Sequence, residues 1–394
     1  MLSASRTITN EALGEKGMTM DTRIPAEVFA PGEFLADELD ARGWSQVELA
    51  EILGRPPRLI SEIIAGKRAI TPETAMGLAA AFGTSPQVWM NLETSYQLSR
   101  TKGAEQAVSR RARLYGRFPV KELVKRGWVE FSENVEVLEK RFLDYFNMKS
   151  IDDTPTFACA ARKSDYSGDQ KILELAWLNR AWLVAKAVRA AKYSDAGLKA
   201  AIPELRECMQ YKEEIGKVSD ILAGAGVRLV VVEHLARSKM DACCFWIDGA
   251  PVIALSLRFD RIDNFWFNLF HEIDHVLHGE GKDAPRYETI DPNAEGLPPE
   301  EVRANANASN YCIPKDELEG FIAGVGPMYS KQAIIGFAMR IKVHRGIVVG
   351  QLQGRGVMHY SANREMLERV KDVVTSSVLT DGFGNTLPLE RKKQ

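Results

Sequence analysis

The sequence predicts a mainly helical protein with a small α+β domain, and three observations carry that expectation. Between residues 28 and 100, five short segments of helical apolar spacing alternate with Gly and Pro punctuation, the pattern of a five-helix helix-turn-helix bundle. After Gly224-Ala225-Gly226 the pattern shifts to β-branched runs of strand length. Those runs lead into an apolar stretch, Phe265-Trp266-Phe267-Asn268-Leu269-Phe270, that continues into His271-Glu272-Ile273-Asp274-His275. The expected order is a disordered tail over 1–27, a helix-turn-helix domain over 28–100, a helical linker or scaffold over 101–225, a metal-binding domain over 226–376 and a polar tail over 377–394.

A chain of 394 residues has room for two or three domains, and its 45% hydrophobic and 26% charged content is that of a folded soluble protein. The net charge of −2 neither favours nor excludes nucleic acid, so a local footprint has to decide. Five scattered cysteines, Cys159, Cys208, Cys243, Cys244 and Cys312, form no C-x-x-C pair and suit a reducing cytoplasm. No run approaches the length of a membrane span, and the first 22 residues lack the apolar core of a signal peptide, so no membrane association is expected.

The bundle begins near Pro31, where Phe34, Leu35 and Leu39 share a helical face and Gly43 ends the helix. Ser45-Gln46-Val47-Glu48 is a capping box that starts a second helix through Leu53. Gly54 and Arg55-Pro56-Pro57 turn the chain into a third helix over 58–65. Thr71-Pro72-Glu73 caps a fourth helix to Phe82, and Ser85-Pro86 opens a fifth. The second and third helices have the spacing of a DNA-binding helix-turn-helix. The third then enters the major groove, with Arg55, Pro56, Arg58, Leu59 and Glu62 facing bases, while Gln46, Lys67 and Arg68 hold phosphates. Residues 28–100 carry 6 Lys+Arg against 9 Asp+Glu, which disfavours unspecific attraction to DNA and leaves a helical interaction module as the alternative. The basic residues nevertheless cluster around the presumed recognition helix.

The run PGEFLADELDARGWSQVELAEILGRPPRLISEIIAGKRAITPETAMGLAAAFGTSPQVWMNLETSYQL closely resembles the Xre/HigA-type antitoxin helix-turn-helix. The resemblance implies binding of double-stranded operator DNA as a homodimer, in autoregulation of a toxin–antitoxin operon. Pro56-Pro57 departs from the small polar residues usual at the start of the recognition helix.

In the middle region, residues 100–126 contain 9 Lys+Arg and 2 acids, a stretch that either tracks the DNA backbone or forms the solvated face of a linking helix. Amphipathic spacing predicts helices over 120–128 and 133–146, a long buried helix over 172–191, and helical pattern over 198–223 interrupted at Pro203. No catalytic signature falls here.

In the C-terminal region, strands are predicted over 228–232, 243–247 and 252–257, with Asp248-Gly249 as a hairpin turn between the last two. His271 and His275, four residues apart on a helix and about 6 Å apart along its axis, can both reach one metal ion, and Glu272 fits a general base for metal-bound water. His278 shares their face but lies about 10 Å along the axis from His271, too far for the same ion. A zinc hydrolase needs three protein ligands, so a carboxylate from the helix starting at Pro298-Pro299 is expected, either Glu301 or Glu300. Both acids also suit a helix N-terminus without any metal. His234, His344 and His359 have no partner at ligand spacing, and residues 363–373 are expected to form a closing helix.

The segments DGAPVIALSLRFDRIDNFWFNLFHEIDHVLHG, EEVRANANASNYCIP and GIVVGQLQ resemble the ImmA/IrrE metallopeptidase family. The resemblance implies a zincin-like metallopeptidase domain with Zn2+ as cofactor, His271, His275 and Glu301 as ligands and Glu272 as catalytic base. Three positions depart from the family pattern: Arg303 where an acid is usual, Asn307 in place of an aromatic, and Asp274 in place of Gly or Ala. Asp274 is open to two readings, as a partner for the far nitrogen of a ligand histidine or as a solvent-facing acid. Two functions follow. In one, a DNA-binding regulator carries a working zinc peptidase that cleaves a partner toxin, repressor or antitoxin. In the other, the zinc domain is a non-catalytic sensor or dimerisation module.

Overall fold

The computed structural model describes residues 29–100, 102–155, 157, 169–288, 296–384 and 386–387. The expected tail over 1–27, Cys159 and the end of the expected polar tail at 388–394 lie outside them. The chain divides into two compact units, residues 1–109 and 110–394.

In the first unit, five helices follow the predicted punctuation: α1 (Pro31–Arg42), α2 (Gln46–Ile52), α3 (Pro57–Ile64), α4 (Pro72–Phe82) and α5 (Pro86–Arg100). Gly43 adopts the left-handed conformation that ends α1, with φ 68°. The Ser45–Glu48 box caps α2 reciprocally, the Glu48 amide donating to Ser45 Oγ at 3.2 Å and the Ser45 amide to Glu48 Oε2 at 2.7 Å. Thr71 Oγ1 accepts from the Thr74 amide at the start of α4. The apolar faces close on Leu35, Leu49, Ile60, Ile63, Leu78 and Trp89, all within 2% exposure, so packing of faces and not helix propensity holds these short helices.

The boundary between the units falls within α6 (Lys102–Arg117). The second unit is built on a five-stranded mixed sheet of order β4-β2-β3-β1-β5, from β1 (Arg228–Val232), β2 (Ala242–Ile247), β3 (Ala250–Leu255), β4 (Arg286–Glu288) and β5 (Leu379–Asp381). β2 and β3 form the predicted hairpin, pairing Cys244 with Ile253 and Ile247 with Ala250. Asp248 and Gly249 both hold positive φ, 51° and 76°, as a two-residue hairpin turn requires. β1 lies parallel to β3 and to β5. The strands read as continuous apolar runs because both sheet faces are covered. Leu229, Val231, Cys244 and Ile253 face one core, while Val230, Val232, Phe245 and Val252 face the other.

That second core explains the first half of the middle region. Its helices α7 (Val120–Lys125), α8 (Val135–Tyr145) and α9 (Asp169–Ala185) form the layer that covers one face of the sheet, with Leu123, Phe142 and Trp177 buried against strand residues. Arg110 pairs with Glu136 at 2.5 Å and Glu139 at 3.2 Å, and Arg113 with Asp152 at 2.5 Å. The basic stretch is in this part a set of intramolecular ion pairs. The second half packs in the other core: α10 (Asp195–Glu207) continues through Pro203, where the sequence predicts a break, because Leu198, Ala201, Ile202 and Leu205 on both sides of the proline are buried there, and that packing outweighs the lost hydrogen bond.

The opposite layer contains α11 (Val218–Gly224), α12 (Ile262–Leu277), α13 (Pro299–Cys312), α14 (Lys315–Val325), α15 (Lys331–Arg340), α16 (Arg345–Gly354) and α17 (Lys371–Ser377). α12 is apolar on most of its surface, with Phe265, Trp266, Leu269, Phe270, Ile273 and Val276 within 1% exposure, and the face of Asp263, Asn264, Phe267 and Asn268 in its first half is partly open. Gly350 lets α16 approach it: a Cβ there would lie 2.2 Å from Asp263 Oδ2. The single closing helix expected over 363–373 is replaced by a one-turn 3-10 helix at Arg364–Met366 and by α17, separated by Leu367 to Val370. Part of the expected polar tail is structured: Asp381 of β5 is fully buried and accepts from Arg180 Nη2 at 2.5 Å and Trp128 Nε1 at 2.6 Å.

Candidate metal centre and nucleic-acid interface

α12 and α13 pack side by side and bring His271, His275 and Glu301 together, each within 4% exposure. The i, i+4 spacing aligns the two imidazoles, and Glu301 enters from the first turn of α13, where the helix N-terminus favours a carboxylate. His271 Nε2 and His275 Nε2 lie 3.0 Å apart, and Glu301 places Oε2 3.2 Å from His271 Nε2 and Oε1 3.4 Å from His275 Nε2. Ligands about 2.0–2.1 Å from a tetrahedral zinc ion stand about 3.3 Å from one another. Each of the three separations is close to that spacing, with the two carboxylate distances made by different oxygens of Glu301. Two Nε2 atoms at this separation also need a cation or proton between their lone pairs. The donor set, two imidazoles and one carboxylate, is the one zinc hydrolases use. Of the two acids weighed as third ligand, Glu301 is in the cluster.

The charges respond accordingly. Burial alone would lower the pKa of His275, but hydrogen bonding to Glu301, the Glu272 charge and Glu280 raise it to about 9. Burial would raise the Glu301 carboxyl, yet hydrogen bonds from His271 and His275 hold it well below the usual carboxylate range. Burial pushes Glu272 above its ordinary value against the attraction of both histidines. Glu272 is 2% exposed and bonded to the Cys244 thiol, with Oε2 unpartnered among the described residues. Cys208, Cys243, Cys244 and Cys312 are all free and buried, as small hydrophobes.

Asp274 follows neither of its two readings. It is 1% exposed and accepts from Arg303 Nε at 2.8 Å and Asn307 Nδ2 at 2.7 Å, both on α13. The far nitrogen of His275 is instead bonded to Glu280, a residue the sequence reading missed. Glu280 follows the C-terminus of α12, and the reversal there depends on Gly279 and Gly281 with φ 71° and 81°; a Cβ on Gly281 would sit 2.8 Å from the Cys244 carbonyl oxygen. His278 is exposed and donates from Nδ1 to the Asp274 carbonyl oxygen at 2.8 Å, His344 caps α16, and His359 bonds Ser361, so none joins the centre. A cleft of ≈ 620 Å³ shares both helices with the centre, lined by Phe267 and Asn268 of α12, Val302 and Asn305 of α13, and Gln351 and Tyr360.

In the first unit, Gln46, Arg55, Arg58, Lys67 and Arg68 are exposed around the start and end of α3. Leu59 is half-buried against the bundle core, so its side chain serves packing as well as surface. The cations are not idle: Arg58 Nε donates to Glu62 at 2.7 Å, Arg68 Nη1 to Glu62 at 3.3 Å, and Arg55 pairs with Glu73. These pairs, Arg58 first, lower the Glu62 pKa.

Comparison with known proteins divides along the same line. Residues 35–89 match the helix-turn-helix family and residues 227–346 the IrrE N-terminal-like domain. The uncharacterised HTH-type transcriptional regulator YddM of Escherichia coli (strain K12) is 36% identical over 72 residues, 18% of this chain and 77% of that protein. Virulence-associated protein I of Dichelobacter nodosus is 38% identical over 80 residues, 20% of this chain and 74% of its own. Among solved structures, a HigA-family addiction module antidote protein from Coxiella burnetii is 35% identical, covering 21% of this chain and 94% of that one, with a TM-score of 0.20. The Pseudomonas aeruginosa antitoxin HigA, solved with the higBA promoter, is 33% identical over 20% of this chain and 88% of its own, also with a TM-score of 0.20. No helix among the described residues is long and apolar enough to cross a membrane. The chain belongs to the Xre-type helix-turn-helix regulators through its N-terminal unit and carries, in its second unit, an IrrE N-terminal-like domain.

Proposed function

We propose that this protein is an operator-binding regulator whose second unit is a zinc-dependent endopeptidase acting on a partner toxin, repressor or antitoxin. The observation that carries the enzymatic part is the triangle of His271, His275 and Glu301 with the buried carboxylate of Glu272 on the same helix. A structural zinc site has no need of Glu272. When bound, zinc supplies a Lewis acid that polarises a carbonyl and acidifies water. His271 and His275 present Nε2 lone pairs, and Glu301 presents a carboxylate already ionised. Glu272, made more basic by burial, has an oxygen free to take a proton from the attacking water and return it to the departing amine. The neighbouring cleft, with Asn268, Asn305 and Gln351, offers amide groups of both polarities to a polypeptide backbone. On DNA, α3 is the reading helix, Arg58 and Glu62 meet base edges, and Gln46, Lys67 and Arg68 meet phosphates, in a homodimer on a symmetric operator.

A second reading rests on the same centre's burial: a site whose residues are within 4% exposure also suits a closed, non-catalytic sensing module. One experiment separates them. The purified chain is expected to hold about one equivalent of zinc, lost in Glu301→Ala and kept in Glu300→Ala and Glu272→Ala. The native chain is expected to cleave the regulatory protein encoded beside it, and Glu272→Ala is not. Equal cleavage by both would remove the peptidase assignment and leave the sensor.

A further inference from the structure

Three positions at which this chain departs from the family pattern, Asp274, Arg303 and Asn307, form one hydrogen-bonded set. Arg303 is its hub. Through Nε it donates to Asp274 Oδ2 at 2.8 Å, and through Nη2 to Glu280 Oε1 at 3.0 Å. The other oxygen of Glu280 takes the Nδ1 side of His275. A guanidinium is a rigid fork whose donors fit two carboxylates at once, so one side chain fixes both acids in position.

We propose that Arg303 is the positioning residue of the metal centre: through Glu280 it sets which nitrogen of His275 faces the ion, and through Asp274 it pins the turn of α13 that carries Glu301. This rests on the metal-centre reading above. Two geometrical facts support it. Arg303 stands two residues after Glu301 on the same helix, so its bond to the buried Asp274 of α12 fixes how far the Glu301 carboxylate reaches over His271 and His275. Asp274, 1% exposed, is a buried carboxylate that must find hydrogen-bond donors, and Arg303 and Asn307 supply them from α13, with His278 Nδ1 3.4 Å from its Oδ2. His271, by contrast, has no partner for Nδ1 among the described residues, so orientation by an outer carboxylate is confined to His275. Outer partners of this kind hold the tautomer and ring angle of a ligand histidine.

The test uses the full chain stripped of metal and titrated with Co2+, whose visible absorption reports ligand geometry. Arg303→Ala is expected to lower Co2+ affinity about 10- to 100-fold and to alter the absorption bands, with native circular dichroism. Arg303→Lys, one ammonium in place of a fork, recovers part of the affinity. Glu280→Gln gives a similar loss, and the double variant Glu280→Gln/Arg303→Ala loses no more than the larger single, because both cut one relay. Asn307→Ala keeps the relay and the native spectrum. If Arg303→Ala does not fold, Arg303→Lys and Glu280→Gln carry the test. A folded Arg303→Ala with native affinity and spectrum, or strictly additive losses in the double variant, overturns the proposal while the centre stands. Absence of Co2+ binding by the native chain overturns both.

Discussion

The two candidate sites handle charge in opposite ways. Around α3 the cations are exposed and each of Arg55, Arg58 and Arg68 already has a carboxylate partner, Glu73 or Glu62. In the candidate metal centre three groups, two imidazoles and a carboxylate, are buried with ring nitrogens and carboxylate oxygens 3.0–3.4 Å apart. Exposed pairs are worth about 0–1 kcal/mol, so a phosphate can displace Glu62 from Arg58 at small cost. Buried groups cannot exchange partners that cheaply, since an unpaired charge there costs several kcal/mol. Binding at the first site is therefore a swap of partners, whereas a metal ion at the second would join buried groups whose positions are already set by the packing of α12 on α13.

The largest effect that would sharpen this contrast lies at neither site. Arg180 and Asp381 form a pair with both side chains within 5% exposure, and Asp381 also accepts from Trp128 and the Leu387 amide. Asp381→Ala is expected to destabilise the second unit by about 3–5 kcal/mol, whereas Glu62→Gln, at the exposed cluster of the first, is expected to leave stability close to native. Chemical denaturation followed by tryptophan fluorescence measures both; comparable losses would break the buried-versus-exposed distinction.

An intermediate effect is expected from pH. His275 is raised to about 9 from an ordinary 6.5 in the metal-free centre. Its protonated form therefore stabilises the metal-free fold fully below pH 6.5, and that contribution is lost as pH climbs to about 9. A metal takes the neutral imidazole, so zinc binding at pH 7 should release about one proton from this residue, and affinity should rise up to about tenfold per pH unit until pH 9. Calorimetry in buffers of different ionisation enthalpy counts the proton. A binding enthalpy independent of buffer would contradict it.

The smallest effect concerns DNA. Glu62→Gln frees Arg58 and Arg68, and is expected to strengthen unspecific DNA binding and steepen its salt dependence by up to about two phosphate contacts. Arg58→Ala and Lys67→Ala weaken operator binding, the latter with a shallower salt slope. Fluorescence anisotropy over a salt series decides; a Glu62→Gln slope equal to the native one would show that the pairs do not restrain the arginines.

Much of this was legible before any coordinates because it is written in local chemistry. Capping by Ser45 and Thr71, the left-handed Gly43 and the Asp248-Gly249 turn are decided within a few residues. His271 and His275 follow from helical spacing alone. Glu301 was narrowed to one of two acids by the requirement for a third ligand. Long-range geometry was not legible. Glu280 reaches His275 only because the chain reverses at Gly279 and Gly281, and the hydrogen bonds of Asp274 depend on the register between α12 and α13. β5 is three residues long, too short for alternation to show, and its pairing with β1 is made by the rest of the sheet. The middle region reads as a scaffold because its amphipathic faces point to some core; that its first half covers one face of the sheet and its second half packs in the core on the other is a matter of topology.

Placing β5 beside β1 has a consequence for synthesis. The bonds that hold Asp381 span 253 residues to Trp128 and 201 to Arg180, whereas in the first unit the bond from Arg42 to the Phe82 carbonyl spans 40. Loop closure over such distances cannot begin until residue 381 has left the ribosome. The DNA-reading unit can therefore finish folding while the second is still incomplete, and the newborn chain is a reader before it has an assembled metal domain.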